Sequence, residues 1–125
     1  MRYFRRKLDD KNRLTIPAEL HAELAGEDVI ITKGFKDYLH LYPKSVWEKH
    51  FKAAMGGRGG EAMPVLFDEQ LADMADSLIE GMTETALDKK QGRIIIDPEL
   101  VKYAGFDKDR TVVATKLVGD YWRLK

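Results

Sequence analysis

Chemistry in this chain could come from three histidines, two adjacent aspartates, a glycine-rich stretch and two clusters of cations. His21, His40 and His50 have no metal-ligand spacing with one another or with a carboxylate pair. His40 falls in strand alternation and His50 on a helical face, where a histidine ordinarily serves packing. The chain has no Cys, which removes disulfides, thiolate metal sites and a Cys nucleophile, and points to a cytoplasmic setting. No G-x-S-x-G is present. Gly56-Gly57-Arg58-Gly59-Gly60 follows a helical pattern and lacks the G-K-[ST] ending of a phosphate loop, so it reads as a linker. Asp9 and Asp10 are neighbours in a charged loop, where carboxylates are usually solvated. These residues predict neither an enzyme nor a cofactor, metal or small-molecule site.

The cations are more informative. Lys7, Lys11 and Arg13 lie around one loop, Lys89, Lys90 and Arg93 around another, with Arg2, Arg5 and Arg6 just before the first. Asn12 precedes Arg13 and Gly92 precedes Arg93. Gly takes positive φ freely, and Asn is among the few other residues that do so routinely. Both loops are therefore expected to make the same tight turn, fixing where the arginine points. Arginine can bond guanine O6 and N7 together, and lysine neutralises phosphate, so double-stranded DNA is one reading. The alternative is an Asp9–Arg13 ion pair within the loop, with the lysines serving only solubility.

The elements that must hold these loops occur twice. Leu8-Asp-Asp-Lys-Asn-Arg-Leu-Thr-Ile-Pro-Ala-Glu-Leu20 is echoed by Leu87-Asp-Lys-Lys-Gln-Gly-Arg-Ile-Ile-Ile-Asp-Pro-Glu-Leu100, the second with one extra loop residue. Asp37-Tyr38-Leu39-His40-Leu41 is echoed by Asp120-Tyr121-Trp122-Arg123-Leu124. Each copy predicts a short strand (14–16, 94–96) and a brief helix opened near Pro17 or Pro98 and stopped at Gly26 or Gly105. Two further strands follow in each: 29–32 and 38–42, then 111–118 and 121–124, the last pair joined by a turn at Gly119-Asp120. Strands this few and short cannot close a core within one copy, so both copies must share one sheet system. Tyr38, Tyr42, Tyr121 and Trp122 then read as core or interface residues rather than base-stacking platforms.

Between the copies, Val46, Trp47, His50, Phe51, Ala54 and Met55 fall on one helical face, and Phe67, Leu71, Met74, Leu78 and Met82 form a second apolar stripe. The divisions expected are a first repeat at 4–50, a helical insert at 51–82 and a second repeat at 83–125. The chain is neutral as a whole, with 21 Lys and Arg against 21 Asp and Glu. Counted along it, residues 1–50 carry +2, residues 51–86 carry −5 and residues 87–125 carry +3. Charge acts over roughly 8–10 Å at physiological salt, so this neutrality is a cancellation between regions and excludes no polyanionic partner. No apolar run approaches the roughly 20 residues of a membrane-spanning helix, and no apolar stretch follows the N-terminal cations as in a secretory signal.

The motif from Leu8 to Leu20, with Leu39-His-Leu-Tyr-Pro-Lys-Ser-Val-Trp-Glu-Lys49 after it, resembles the first half of the MraZ family of transcriptional regulators. Leu87–Leu100 with Tyr103-Ala-Gly-Phe-Asp-Lys108 resembles the second. The resemblance implies an α+β, mainly β fold: a swapped-hairpin, double-split β-barrel of AbrB type built from two SpoVT/AbrB-type repeats. It also implies a ring-like homo-oligomer, associated with the nucleoid, that binds short direct repeats upstream of the division and cell wall gene cluster, usually as a repressor. The family's D-x-x-x-R loop maps onto Asp9 and Arg13. In the second copy Asp88 to Arg93 is one residue longer, Asp97 stands where Pro is usual, and in the first Asn12 replaces Gly. The residues so assigned to DNA are Arg5, Arg6, Lys7, Lys11, Arg13, Lys89, Lys90 and Arg93, with Asp9, Asn12, Asp88 and Gly92 shaping the loops. Two other readings share these residues: an antitoxin-like regulator whose partner is a toxin protein, and an oligomerisation module that binds no DNA.

Overall fold

The computed structural model of the protein describes residues 2–54, 80–116 and 121–125. The chain starts with β1 (Tyr3–Lys7), β2 (Arg13–Thr15), α1 (Ala18–Leu24), β3 (Val29–Lys33), β4 (Leu39–Pro43) and α2 (Lys44–Ala54). It continues with β5 (Met82–Thr85), β6 (Arg93–Ile95), α3 (Pro98–Tyr103), α4 (Phe106–Asp109), β7 (Thr111–Lys116) and β8 (Trp122–Leu124). Local sequence explains the short helices. Leu20 and Leu24 form a buried pair one turn apart in α1, which follows Pro17 and ends at Ala25 (φ 49°) and Gly26 (φ 79°). In α3, Pro98 takes the first position, and the Asp97 carboxylate caps the helix by accepting the Glu99 amide at 2.9 Å.

The main sheet is antiparallel throughout, in the order β1-β7-β8-β4-β3-β5, and β2 and β6 form a separate two-stranded ribbon. The outer pairings are exchanged. β1, from the first half, lies on β7 of the second, and β5, from the second, lies on β3 of the first. The registers obey a pseudo-two-fold: Leu14 stands opposite its own counterpart Ile94, and His40 opposite its counterpart Arg123. The two halves therefore form an AbrB-like swapped-hairpin fold sharing one sheet system. Its main sheet stays open, with β1 and β5 as the two edges, so the split barrel does not close.

The sequence reading missed β1 and β5. Consecutive cations hide the alternation of Tyr3-Phe4-Arg5-Arg6-Lys7, and Met82-Thr-Glu-Thr85 is too polar to read as a strand; both are strands because β7 and β3 offer them ladders. Met82, expected at the end of a helical stripe, instead opens β5 opposite Thr32. The rest of that stripe (Phe67, Leu71, Met74, Leu78), Met55, the Gly56–Gly60 linker and the Gly119-Asp120 turn lie outside the described residues.

Phe4, Val29, Ile31, Leu39, Leu41, Val112, Ala114, Trp122 and Leu124 line the inner face of the sheet. They form one core with Leu14 and Ile94 of the ribbon, Leu20 and Leu24 of α1, Leu100 and Val101 of α3, and Phe106 of α4. Trp122 is the largest buried side chain, its ring 5.5 Å from that of Phe4, and its indole N–H donates to Glu23 at 3.0 Å. The opposite face carries a half-buried aromatic group in which Tyr42 stacks on Tyr121 at 4.9 Å and His40 meets Tyr38 and Tyr121. On α2, Trp47 stacks on Phe51 at 5.0 Å, and these two with His50 line one side of a cavity of about 490 Å³ over this face.

Candidate nucleic-acid interface

The ribbon and its two loops repeat each other closely. Leu14 and Ile94 point into the core, so alternation sends Arg13, Thr15, Arg93 and Ile95 to the outer face. Each loop is bonded to the end of the other copy's strand: the Ile96 amide donates to the Asn12 carbonyl at 2.9 Å, and the Ile16 amide to the Gly92 carbonyl at 2.8 Å. From 11 to 20 and from 91 to 100 the order of exposed, half-buried and buried residues is identical. The expected left-handed turns are present, with φ 60° at Asn12 and 63° at Gly92.

In the first loop the Asp9 carboxylate is the organising group. It accepts the Lys11 amide at 2.9 Å, the Arg13 amide at 2.8 Å and the Arg13 Nε–H at 2.5 Å. Desolvation works against its charge, but the Arg13 amide, the Arg13 side chain and the Lys11 amide outweigh it, and its pKa lies below the ordinary aspartate value. The ion pair weighed against DNA binding is therefore present, yet the two do not exclude each other. Asp9 holds Nε, while neither terminal guanidinium nitrogen of Arg13 has a hydrogen-bond partner among the described residues. Those two nitrogens are a fork suited to a guanine edge.

The second loop is looser. Asp88 accepts the Lys90 and Gln91 amides at 3.1 and 3.2 Å, but its carboxylate is 3.8 Å from the Arg93 guanidinium. Arg93 Nε is buried and has no partner among the described residues. With the extra residue, the Asp88 carboxylate no longer holds the amide and Nε–H that Asp9 holds in the first copy; the Arg93 amide donates instead to the Asp88 carbonyl at 3.3 Å. Lys89 and Lys90 are both exposed, and the Lys89 side chain runs past the turn after α1, where a Cβ on Gly26 would be 3.5 Å from its Cε and Nζ.

The N-terminal cations do not act as one cluster. Arg5 and Lys7 are exposed on β1, while half-buried Arg6 falls on the Phe4 side of the strand, its guanidinium 5.5 Å from the Phe4 ring. The Arg2 side chain is engaged by Glu19 and Glu23. Lys7 leads directly into the first loop, and Lys11 at its tip is exposed.

Three positions were missed. Arg110, itself at φ 66°, reaches from the second half to bond the Asp9 carbonyl and the Asn12 side-chain oxygen, the latter at 2.6 Å. Nothing in the sequence links it to a loop some hundred residues earlier. Thr15 and Ile95, in contrast, could have been found by alternation once Leu14 and Ile94 were set inward. Among the described residues no group of three His, Asp or Glu could hold a metal ion, and no helix is long and apolar enough to cross a membrane.

Two pseudo-symmetric halves that exchange strands and hold paired arginine loops on a common ribbon define the class: an AbrB-like swapped-hairpin protein. Residues 4–56 match the family model of the MraZ protein, which is described as antitoxin-like. The chain is 37% identical over 120 residues to the transcriptional regulator MraZ of Corynebacterium kroppenstedtii, covering 95% of this chain and 77% of that protein. It is 32% identical to the protein of that name in Clostridium tetani, covering 92% and 75%, and 32% identical to that of Herpetosiphon aurantiacus, covering 92% and 74%. The chain belongs to the MraZ family.

Proposed function

We propose that this protein is a sequence-specific, DNA-binding transcriptional regulator rather than an enzyme, acting in the cytoplasm at the nucleoid as a repressor. The observation that carries the reading is the pair of loops clasped onto one ribbon, the first presenting Arg13 with its Nε held and its outer nitrogens open. A two-stranded ribbon is narrow enough to enter a major groove. Arg13 reads a base edge, Arg93 does so from the looser loop, and Lys7, Lys11, Lys89, Lys90, Arg5 and Arg6 steady the phosphates on either side. One protomer with two small basic loops binds weakly. A ring-like homo-oligomer on short direct repeats, upstream of the division and cell wall gene cluster, makes successive contacts intramolecular. The names of the relatives support regulation of transcription. The description of the matched family as antitoxin-like favours a second reading, in which the partner is a toxin protein.

Titration of labelled upstream DNA at several salt concentrations tests both readings. A DNA binder loses affinity steeply as salt rises, and Arg13→Ala costs about 1–3 kcal/mol on the preferred sequence and relaxes its preference. Unchanged affinity and preference in Arg13→Ala, with the oligomer intact, overturns the assignment. Absence of any salt-dependent binding by the unaltered protein overturns the DNA reading.

A further inference from the structure

The outer face of the ribbon is basic but not wholly polar. Ile95 stands on it with 54% of its surface exposed, a large aliphatic side chain between two arginine loops. Its backbone amide turns away from β2 towards the Thr85 hydroxyl, 3.4 Å away, so Arg13 and Ile95 face each other as a pair without ladder bonds between them. In such pairs the side chains approach most closely, with roughly 4.5–5.5 Å between Cβ atoms. The pseudo-two-fold turns this pair into Arg93 opposite Thr15. The outer face thus carries two arginines in equivalent places, each beside a different partner: a bare aliphatic next to the firmly clasped Arg13, a hydroxyl-bearing residue next to the loosely held Arg93.

An exposed isoleucine beside a guanidinium gains nothing from water. Beside a guanine held by that guanidinium it meets the neighbouring base pair, and the aliphatic group in a major groove is the C5-methyl of thymine. Building on the DNA-binding reading above, we propose that Ile95 is a specificity-determining residue that packs against a thymine methyl next to the base pair read by Arg13. Because Thr15 holds the equivalent place on the other arm, this contact distinguishes the two arms of a nearly symmetric ribbon. It gives each protomer a direction on the duplex, which a direct repeat requires and a palindrome does not.

The test uses the full chain and duplexes that it enriches from a random pool. In the enriched sequence, each thymine beside the guanine of the Arg13 arm is replaced in turn by deoxyuridine, which removes only the methyl group. At one of these positions the unaltered protein is expected to lose about threefold to tenfold in affinity, the scale of one buried methyl-sized group. Ile95→Ala is expected to bind thymine and deoxyuridine duplexes equally, and Ile95→Val to keep part of the difference. Discrimination that persists in Ile95→Ala, or is missing from the unaltered protein, overturns the proposal while leaving the DNA reading intact. An altered oligomeric state in Ile95→Ala with undiminished discrimination assigns Ile95 to an interface between copies and also overturns it. Failure of the unaltered protein to enrich any sequence overturns the DNA reading, and this proposal with it.

Discussion

Asp9 governs how the first loop could recognise anything. Its carboxylate holds two amides and the Arg13 Nε–H, so the direction of the guanidinium follows from a group that itself would repel a phosphate. The two roles predict opposite effects. If Asp9 mattered only as charge, Asp9→Ala would strengthen binding to any duplex by removing a nearby anion. As a positioning residue it does something else: Asp9→Ala is expected to weaken binding to the preferred sequence by about tenfold, comparable to losing part of a bidentate base contact, while non-specific binding holds or rises. Competition between the preferred and an unrelated duplex measures both at once. The D-x-x-x-R spacing made this clasp legible, since four residues and a positive φ at the last suffice to bring carboxylate and arginine together. The weaker clasp of Arg93 was legible only as an extra residue; that Asp88 ends 3.8 Å away depended on how the longer turn closed.

The seam between the halves is the antiparallel pair of β4 and β8, where His40 and Arg123 sit in register. Burial among Tyr38, Tyr42 and Tyr121 pushes the His40 pKa down, and the Arg123 cation adds to the effect. The unfolded chain therefore binds this proton more readily than the folded one, so His40 favours folding above the ordinary histidine value of about 6.5. That contribution declines as pH falls through 6.5 and is gone below the lower folded value. Thermal unfolding between pH 7.5 and 5 is expected to show a falling melting temperature that His40→Gln flattens. An equal slope in both proteins would place the sensitivity elsewhere. Strand alternation in 38–42 and 121–124 predicted the elements, but not that these two would be the strands to meet. Their pairing rests on Leu39, Leu41, Trp122 and Leu124 sharing one buried face.

At the scale of the molecule, exchange of β1 and β5 ties the halves together, because neither half completes its own edge. A single ribbon offers few phosphate contacts, and affinity in the proposed function comes from several protomers acting on one duplex. Binding to DNA with three repeats is therefore expected to exceed binding to one repeat by about 10²–10⁴-fold, with the spacing between repeats near one helical turn. Fluorescence anisotropy on one-, two- and three-repeat duplexes measures this, and equal affinity for all three would remove the multivalent mechanism. The acidic stretch of residues 51–86 falls largely outside the described residues.

Read alone, the sequence determined the duplication, the paired turns, the short helices after Pro17 and Pro98, and the need for a shared core. Each of these is local: a left-handed residue before an arginine, a proline at a helix start, apolar residues at a fixed period. Tertiary structure decided the rest. Strands β1 and β5 exist because a partner strand supplies their hydrogen bonds, Arg110 supports a loop distant in the chain, and Ile95 faces outward because Ile94 fills the core. Long-range pairing and the choice of buried face depend on which surfaces meet, and that information is not contained in any short window of residues.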